Sequence, residues 1–300
     1  MGDTPPRILS APRVLGDTRA TLGEGLCWSA REQALWWVDI LEHRLYRDSL
    51  AAAHDAWAFD ETISAVAERA NGAGLAVTLR RGLALFDPRT GELTRLDEPE
   101  REREGNRFND GKCDARGRFW GGTMDFATTA GTGALYCFDA AGHATRAIDL
   151  GWIVTNGPAW TLDGRTMFVN DTVRRRIVAY AFDPATGAVG ASREWLVLQR
   201  EDGHPDGMTT DAAGRLWIAH WGGACVICHD AATAAELARV ELPTDHITNV
   251  AFGGPDMTTL FISSARHELT QAQLAAQPLA GALFAVDTDA LGQPASPFAG

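Results

Sequence analysis

The sequence predicts an all-β protein, a six-bladed β-propeller whose blades are four-stranded antiparallel sheets. Almost no segment of the 300 residues has the 3.6-residue apolar spacing of an amphipathic helix. Short apolar runs broken by Gly, Asp, Pro and Asn recur instead from end to end, and six of them resemble one another. A period in the forties built from strand-like units is typical of propeller blades.

The repeat is marked by the second residue of each similar run. The steps between markers are 40, 44, 48, 49 and 44 residues, and the markers are Trp36, Ala76, Trp120, Phe168, Trp217 and Phe261. Four strands fit within each step, so six blades account for nearly the whole chain and a single domain over residues 1–300 is expected. The alternative, a double-sheet sandwich with a similar number of strands, would not need such a repeat.

Turn signals precede several marker strands. Examples are Asp114-Ala115-Arg116-Gly117 and Asp211-Ala212-Ala213-Gly214. Gly accepts a positive φ and Asp bonds its neighbouring backbone, so both strings predict hairpin turns. Helix is expected only in two short Ala-rich stretches, near residues 231–238 and 269–276.

Composition excludes several classes of partner. The formal charge of −12, from 39 acidic against 27 basic residues, repels nucleic acid and anionic lipid surfaces, so a small polar ligand or a cation fits better. No apolar stretch approaches the roughly 18 residues of a membrane span, and the first residues lack a signal-peptide core. Five scattered cysteines indicate reduced thiols. We therefore expect a cytoplasmic protein, either a monomer or a weak homo-oligomer.

In four of the repeats, a polar residue followed by Gly lies at nearly the same distance before the marker; we call this distance the phase of the residue. Glu24-Gly25 and Asn156-Gly157 lie 12 residues before their markers, Asp206-Gly207 lies 11 before, and Asp110-Gly111 lies 10 before. Equivalent positions on equivalent strands point at the same region of a propeller axis, so Glu24, Asn156 and Asp206 are expected to converge there. Read singly, each pair is an ordinary turn dipeptide.

Two carboxylates and an amide that converge in a partly enclosed channel need a cation between them. An all-oxygen set predicts one divalent metal: calcium or zinc first, with manganese, magnesium and ferrous iron as alternatives. Three protein ligands leave positions open for water or substrate, as in catalytic sites. Strand alternation puts Arg107 and Asn109 on one side, where both can contact a polyhydroxylated ligand; a surface ion pair is the alternative for Arg107.

At these residues the sequence resembles the gluconolactonase/regucalcin (senescence marker protein) family. The resemblance spans most of the chain and includes the strings Leu22-Gly23-Glu24-Gly25, Asn106-Arg107-Phe108-Asn109-Asp110-Gly111-Lys112, Thr155-Asn156-Gly157 and Pro205-Asp206-Gly207-Met208. It implies a six-bladed propeller with one divalent metal bound by Glu24, Asn156 and Asp206. It also implies that Arg107 and Asn109 contact the substrate.

Residues 277–285 are similar to bacterial pentonolactonases such as xylonolactonase, which implies a pentono- or gluconolactone type of substrate. The sequence departs from animal members of the family at one point. They carry an acid three residues after the Met of the Gly-Thr-Met string, where this chain has Ala127. Asp125 is the nearest acid and is the predicted replacement as a substrate contact.

The resulting hypothesis is a hydrolase that opens a sugar-acid lactone, with Asp206 accepting a proton from water and the metal polarising the carbonyl. Two alternatives stay open. One is a calcium-binding regulatory propeller without catalysis, and the other is a promiscuous esterase or organophosphate hydrolase that uses the same metal.

Other chemistries find little support in the sequence. There is no Gly-x-Ser-x-Gly elbow, and residues 105–112 resemble a phosphate loop but Cys113 stands where Ser or Thr is required. The thiols of Cys225 and Cys228 have metal-ligand spacing, yet on a strand they would point to opposite faces. His204 and His220 flank the Asp206 strand and could reach the channel, although each suits a structural role.

Overall fold

The computed structural model describes residues 5–49 and 54–300, and these residues form six four-stranded antiparallel sheets in a ring. The arrangement is a six-bladed β-propeller, so the predicted fold class is confirmed. Each blade runs from an innermost strand at the axis to an outermost strand at the rim, and in the first five blades the order is the order of the chain.

From the axis outward, the first blade consists of β2 (Gly23–Ser29), β3 (Ala34–Asp39), β4 (Arg44–Ser49) and β5 (His54–Ala58). The second consists of β6 (Ile63–Glu68), β7 (Leu75–Leu79), β8 (Leu83–Asp87) and β9 (Glu92–Arg95). The third consists of β10 (Asn106–Cys113), β11 (Phe119–Asp125), β12 (Gly133–Phe138) and β13 (Ala144–Trp152). The next two are β14 (Thr155–Trp160), β15 (Thr166–Asp171), β16 (Arg176–Phe182) and β17 (Val189–Val197); and β18 (His204–Thr210), β19 (Leu216–Trp221), β20 (Cys225–His229) and β21 (Glu236–Glu241). The sixth is β22 (Ile247–Gly253), β23 (Thr259–Ser264), β24 (Leu283–Asp287) and β1 (Arg13–Leu15).

The ring closes through the sixth blade, whose outermost strand comes from the beginning of the chain. β1 pairs antiparallel with β24, and Val14 lies opposite Phe284. The innermost strands contact their neighbours all the way round, including β22 against β2. The closed ring therefore protects the innermost edges and leaves a channel along the axis.

The six sequence markers all lie on the second strand of a blade, which confirms the period. All of them except Ala76 are aromatic residues that belong to the apolar core clusters, and Trp36, Trp120 and Trp217 are at most 1% exposed. Aromatic side chains at this radius bury large apolar areas and hold adjacent sheets together.

One of the two predicted helices is confirmed and the other is wrong. The helix α1 (Gln271–Ala276) begins after Thr270, whose side chain accepts a hydrogen bond from the Gln273 amide in a capping box. Residues 231–235 form instead the hairpin between β20 and β21. There the Asp230 carboxylate accepts hydrogen bonds from the amides of Ala232 and Thr233, at 3.0 and 2.7 Å, so local turn chemistry prevails over the helix propensity of alanine.

The predicted Asp-x-x-Gly turns are present in the third and fifth blades. Gly117 and Gly214 have φ of +75° and +83°, a conformation that glycine adopts without strain. A single 3₁₀ turn at Arg200–Asp202 precedes β18 among the described residues. No helix within residues 5–49 and 54–300 is long and apolar enough to cross a membrane.

All five cysteines are free thiols. Cys225 and Cys228 lie on β20 three residues apart, which places them on opposite faces of the strand. Burial raises the pKa of each thiol to about 12, so both are neutral side chains packed within the sheet.

Candidate functional site

Every innermost strand contains a β-bulge at the same level of the channel. The regular pairing is interrupted after Glu24, Ile63, Phe108, Asn156, Pro205 and Ile247, one position in each blade. A bulge leaves one or two residues unpaired and re-aims their side chains. The six bulges therefore create a ring of polar groups around the axis.

The structure brings together five of the residues singled out from the sequence. One open cleft at an end of the axis, with a volume of about 380 Å³, is lined by Glu24, Arg107, Asn109, Asn156 and Asp206. They come from four different blades and are each less than 9% exposed. The predicted convergence of the three proposed metal ligands is therefore what the bulges produce, although their roles stay predictions.

A chain of hydrogen bonds fixes the orientation of the polar groups on the cleft floor. Arg107 Nη1 donates to Asn109 Oδ1 (2.7 Å), and Asn109 Nδ2 donates to Asn156 Oδ1 (2.7 Å). Asn156 Nδ2 in turn donates to Thr172 Oγ1 (2.9 Å), and that hydroxyl donates to the carbonyl of Pro205 (2.9 Å). The amide oxygen of Asn156 is thereby turned away from its own blade, toward the axis side where Asn109 lies.

The carboxylates at the axis are buried and repel one another. Burial and the neighbouring Asp110 carboxylate raise the pKa of Glu24 to about 8. Burial, together with Glu24 and Asp110, raises the pKa of Asp206 well above its ordinary value. The charge of Arg107 opposes both shifts, but burial lowers the pKa of that guanidinium to about 10. Desolvation therefore dominates at this site.

This donor set fits a divalent cation. The carboxylates of Glu24 and Asp206 and the amide oxygen of Asn156 are hard oxygen donors, and a positive charge between them would relieve the repulsion that raises both pKa values. Within the described part of the chain, no group of three or more His, Cys, Asp or Glu side chains is arranged to hold a metal. A metal at the axis would therefore depend on the amide of Asn156.

Two further residues belong to the site. Asn249 Nδ2 donates to Glu24 Oε2 (2.7 Å), and Asp110 accepts hydrogen bonds from the amides of Gly111 (2.7 Å) and Gly157 (2.9 Å). The sequence places Asp110 at a similar distance before its marker, but no role was predicted for it. Asn249 lies 12 residues before the marker Phe261, the phase of Glu24 and Asn156, but Val rather than Gly follows it. Phase alone could have identified it.

Asp125 does not line the cleft in the structure. Its Oδ2 accepts hydrogen bonds from the Thr129 amide (2.7 Å), the Thr129 hydroxyl (3.0 Å) and the Ala130 amide (2.8 Å). Burial raises the pKa of Asp125, but the bonds from Ala130 and Thr129 outweigh that effect and hold the pKa below its ordinary value. The carboxylate thus supports its own loop, and a contact with substrate stays a prediction.

The two histidines differ. His204 lines the cleft beside Asp206, with Nδ1 bonded to the Thr172 carbonyl (2.8 Å) and Nε2 within 3.2 Å of Arg175 Nη2. The first bond makes Nδ1 the donor, so Nε2 accepts from Arg175. His220 is buried, bonds the Asp202 carbonyl, and has its pKa lowered by burial to about 4. His220 is therefore a structural, neutral histidine.

Comparison with known proteins agrees with this architecture. Residues 22–266 match the family model described as the SMP-30/Gluconolactonase/LRE-like region. The pentonolactonase XacC of Haloferax volcanii is 37% identical over 294 residues, covering 95% of this chain and 97% of the relative. Regucalcin of Gallus gallus is 33% identical over 293 residues, with the same shares covered.

A solved structure with the same fold is regucalcin of Agrobacterium tumefaciens, described as a calcium-binding protein. The two chains superpose with a TM-score of 0.91 at 31% sequence identity, covering 96% of this chain and 97% of the other. The superposition thus extends over nearly the full length of both chains.

Proposed function

The chain belongs to the SMP-30/gluconolactonase/LRE-like family, and from that premise we propose that it hydrolyses a sugar-acid lactone to the free aldonate with one divalent metal. The observation that carries the proposal is that two buried carboxylates with raised pKa values, Glu24 and Asp206, line one open cleft. Arg107 and Asn109 line the same cleft, and hydrogen bonds fix the orientation of their side chains. The relative named a pentonolactonase supports a pentono- or gluconolactone type of substrate.

Glu24, Asn156 and Asp206 would hold the metal, with calcium or zinc proposed before manganese, magnesium or ferrous iron. When bound, such an ion lowers the pKa of water and polarises a carbonyl oxygen. The relative described as calcium-binding favours a divalent ion of this kind. The metal also explains why buried carboxylates are tolerated so close together at the axis.

Asp206 accepts the proton of the attacking water. The water oxygen then bonds to the lactone carbonyl carbon, the ring C–O bond breaks, and a proton returns to the ring oxygen, which leaves as a hydroxyl of the aldonate. Negative charge develops on the carbonyl oxygen during attack. Arg107, held by Asn109 and the Phe108 carbonyl, is oriented before the substrate arrives and stabilises that charge with its remaining N–H groups, while Asn109 keeps the guanidinium in place.

The test is hydrolysis of a panel of aldonolactones, followed with a pH indicator, by purified protein before and after chelation. We expect turnover that is lost on chelation, restored by added metal, and absent in Asp206→Ala. The matched control is Asp139→Asn, which removes a carboxylate on an exposed turn and leaves turnover unchanged. Unchanged hydrolysis by Asp206→Ala would refute the assigned role.

The regucalcin relatives favour a second candidate, a calcium-binding regulatory propeller without catalysis. This candidate predicts metal binding without turnover of any lactone. A third, an esterase or organophosphate hydrolase with the same metal, predicts faster turnover of aryl esters than of sugar lactones. The same assay, extended to aryl esters, separates all three.

The proposal includes the expected cellular setting. The substrate is a small molecule, with no role for nucleic acid or membrane, and the protein acts in the cytoplasm as a monomer or weak homo-oligomer. Light scattering during size-exclusion chromatography would establish the mass in solution.

A further inference from the structure

Phe126 is a large apolar side chain exposed at the mouth of the cleft. It is 43% exposed and lines the cleft that contains Arg107 and Asn109. Exposed apolar residues are common on protein surfaces and need no explanation when they stand alone. Phe126 differs because its ring contacts the polar floor of the site.

The ring lies against two guanidinium groups. The Cζ of Arg107 is 5.6 Å from the ring centroid, and the Cζ of Arg80 is 5.9 Å from it. Both distances are within the range in which a cation is attracted to the face of an aromatic ring. Arg107 is itself only 5% exposed, so the ring covers part of a buried charge that faces the cleft.

The backbone holds Phe126 firmly although its side chain is exposed. The Phe126 amide donates to the Gly105 carbonyl (2.8 Å), and the preceding Asp125 amide donates to the carbonyl of Ile153 in the connection to the next blade (3.1 Å). The Asp125 carboxylate then caps the loop that follows. An exposed aromatic ring on an anchored backbone loses little conformational entropy when a ligand packs against it.

Resting on the lactonase function proposed above, we propose that Phe126 is a specificity-determining residue that packs against the C–H face of the lactone ring. The ring offers no hydrogen-bond donor or acceptor to hydroxyl groups on that face. It thereby favours lactones that turn an apolar, poorly hydroxylated face toward the third blade. The acid expected nearby from the family resemblance, Asp125, points into its loop, and its neighbour Phe126 takes the position at the cleft.

The test compares two lactones with the same five-membered ring, γ-butyrolactone and D-ribono-1,4-lactone, in the metal-loaded protein. Phe126→Gln replaces the aromatic ring by an amide that can form a hydrogen bond with a hydroxyl group. We expect kcat/KM for γ-butyrolactone to fall about ten-fold and that for ribonolactone to change less than about three-fold, the scale of one apolar contact in a pocket. Phe126→Tyr keeps the ring and should retain both values within about two-fold.

The matched control is Val173→Ala, because Val173 also lines the cleft and is 40% exposed. It should leave the ratio between the two lactones within about two-fold of the wild-type ratio. An equal effect of Phe126→Gln on both lactones, or the same ratio change in Val173→Ala, would overturn the role of Phe126 alone. A wild-type protein that hydrolyses neither lactone with metal present would overturn the lactonase proposal and this inference together.

Discussion

Two groups of buried carboxylates in this propeller differ sharply: those in the hairpin turns of the third and fifth blades, and those at the axis. Asp114 and Asp211, in the turns, are 3% and 0% exposed, while Glu24 and Asp206, at the axis, are 4% and 6% exposed. Burial alone therefore does not distinguish the two regions. The difference lies in the partners that each carboxylate finds.

The carboxylates in the turns each accept hydrogen bonds from several donors. Asp211 accepts from the guanidinium Nε of Arg215 (2.7 Å), the indole of Trp217 (2.9 Å) and two backbone amides. Asp114 accepts from Arg118 and Trp120 at the same distances. The axial carboxylates instead repel one another while sharing one buried guanidinium, that of Arg107. The acids of the turns are thus neutralised by the fold, whereas the proposal leaves the acids of the axis to be neutralised by a bound cation.

The largest expected effect concerns catalysis at the axis. Asp206→Asn should lower kcat/KM on an aldonolactone by roughly a thousand-fold, because it removes the proton acceptor and a metal ligand. The same change should not lower the free energy of unfolding of the metal-free protein, since one of two repelling charges is gone. Steady-state kinetics and urea unfolding of one preparation check both. If the Asp206→Asn protein is less stable than the wild type when both are metal-free, the carboxylates at the axis do not repel one another.

The second effect is a pH dependence of stability in the metal-free protein. Between the ordinary pKa of Glu24, 4.5, and its raised value of about 8, the folded protein binds more protons than the unfolded chain. The contribution of Glu24 to the free energy of unfolding is therefore fully present below pH 4.5 and is lost as the pH rises through about 8. The expected loss is on the order of 5 kcal/mol.

Urea unfolding from pH 4 to 9, with chelator and with added metal, measures this dependence. Metal should reduce the loss, because it stabilises the ionised form of Glu24. Glu24→Gln is the matched control, since it lacks the titrating group and should show a flatter profile without metal. A stability that rises between pH 5 and 8 in the chelated wild type would have the wrong sign.

The third effect concerns the turns. Asp211→Asn should lower the free energy of unfolding by about 2 kcal/mol, because the charge-assisted bonds to Arg215 and Trp217 are weakened. Its kcat/KM at 20 °C should stay within about two-fold of the wild type, since no ligand depends on this carboxylate. The comparison between the two regions fails if this variant loses activity while remaining folded and metal-loaded.

The smallest effect concerns Asp125. Asp125→Asn should lower the free energy of unfolding by about 1 kcal/mol through the loss of charge on its loop bonds. If the carboxylate only supports the loop, kcat/KM falls less than about three-fold. A fall of ten-fold or more with unchanged stability would restore Asp125 as a contact of the substrate.

The blade architecture could be predicted because one kind of signal, the spacing of apolar runs, repeats six times along the chain. The markers on the second strands were correct since those strands are buried along nearly their whole length, and burial leaves a strong trace in sequence. The helix expected near residues 231–238 was wrong because alanine propensity is weak beside the carboxylate of Asp230, which organises a hairpin turn.

The site could be predicted in part for a related reason. The phase of Glu24 and Asn156 relative to their markers indicated convergence, but Asn249 was missed because Gly had been required after the polar residue. The distance to the marker is also one or two residues shorter at Asp206 and Asp110. In the third and fifth blades the marker follows its paired innermost residue by eight positions, whereas in the first and fourth it follows by nine, and Asp110 lies one position further into its bulge than Asp206 does. Which of Asp125 and Phe126 faces the cleft depends on loop hydrogen bonds that no spacing encodes.

We have proposed that Glu24, Asn156 and Asp206 hold one divalent metal on which hydrolysis depends. The direct measurement is metal content per chain, by mass spectrometry of the elements, on the same samples used for lactone turnover, in wild type and in Asn156→Ala. We predict one metal per chain and turnover in proportion to it in the wild type, with both lost in the variant. Full turnover at a small fraction of one metal per chain, in either protein, would contradict the account.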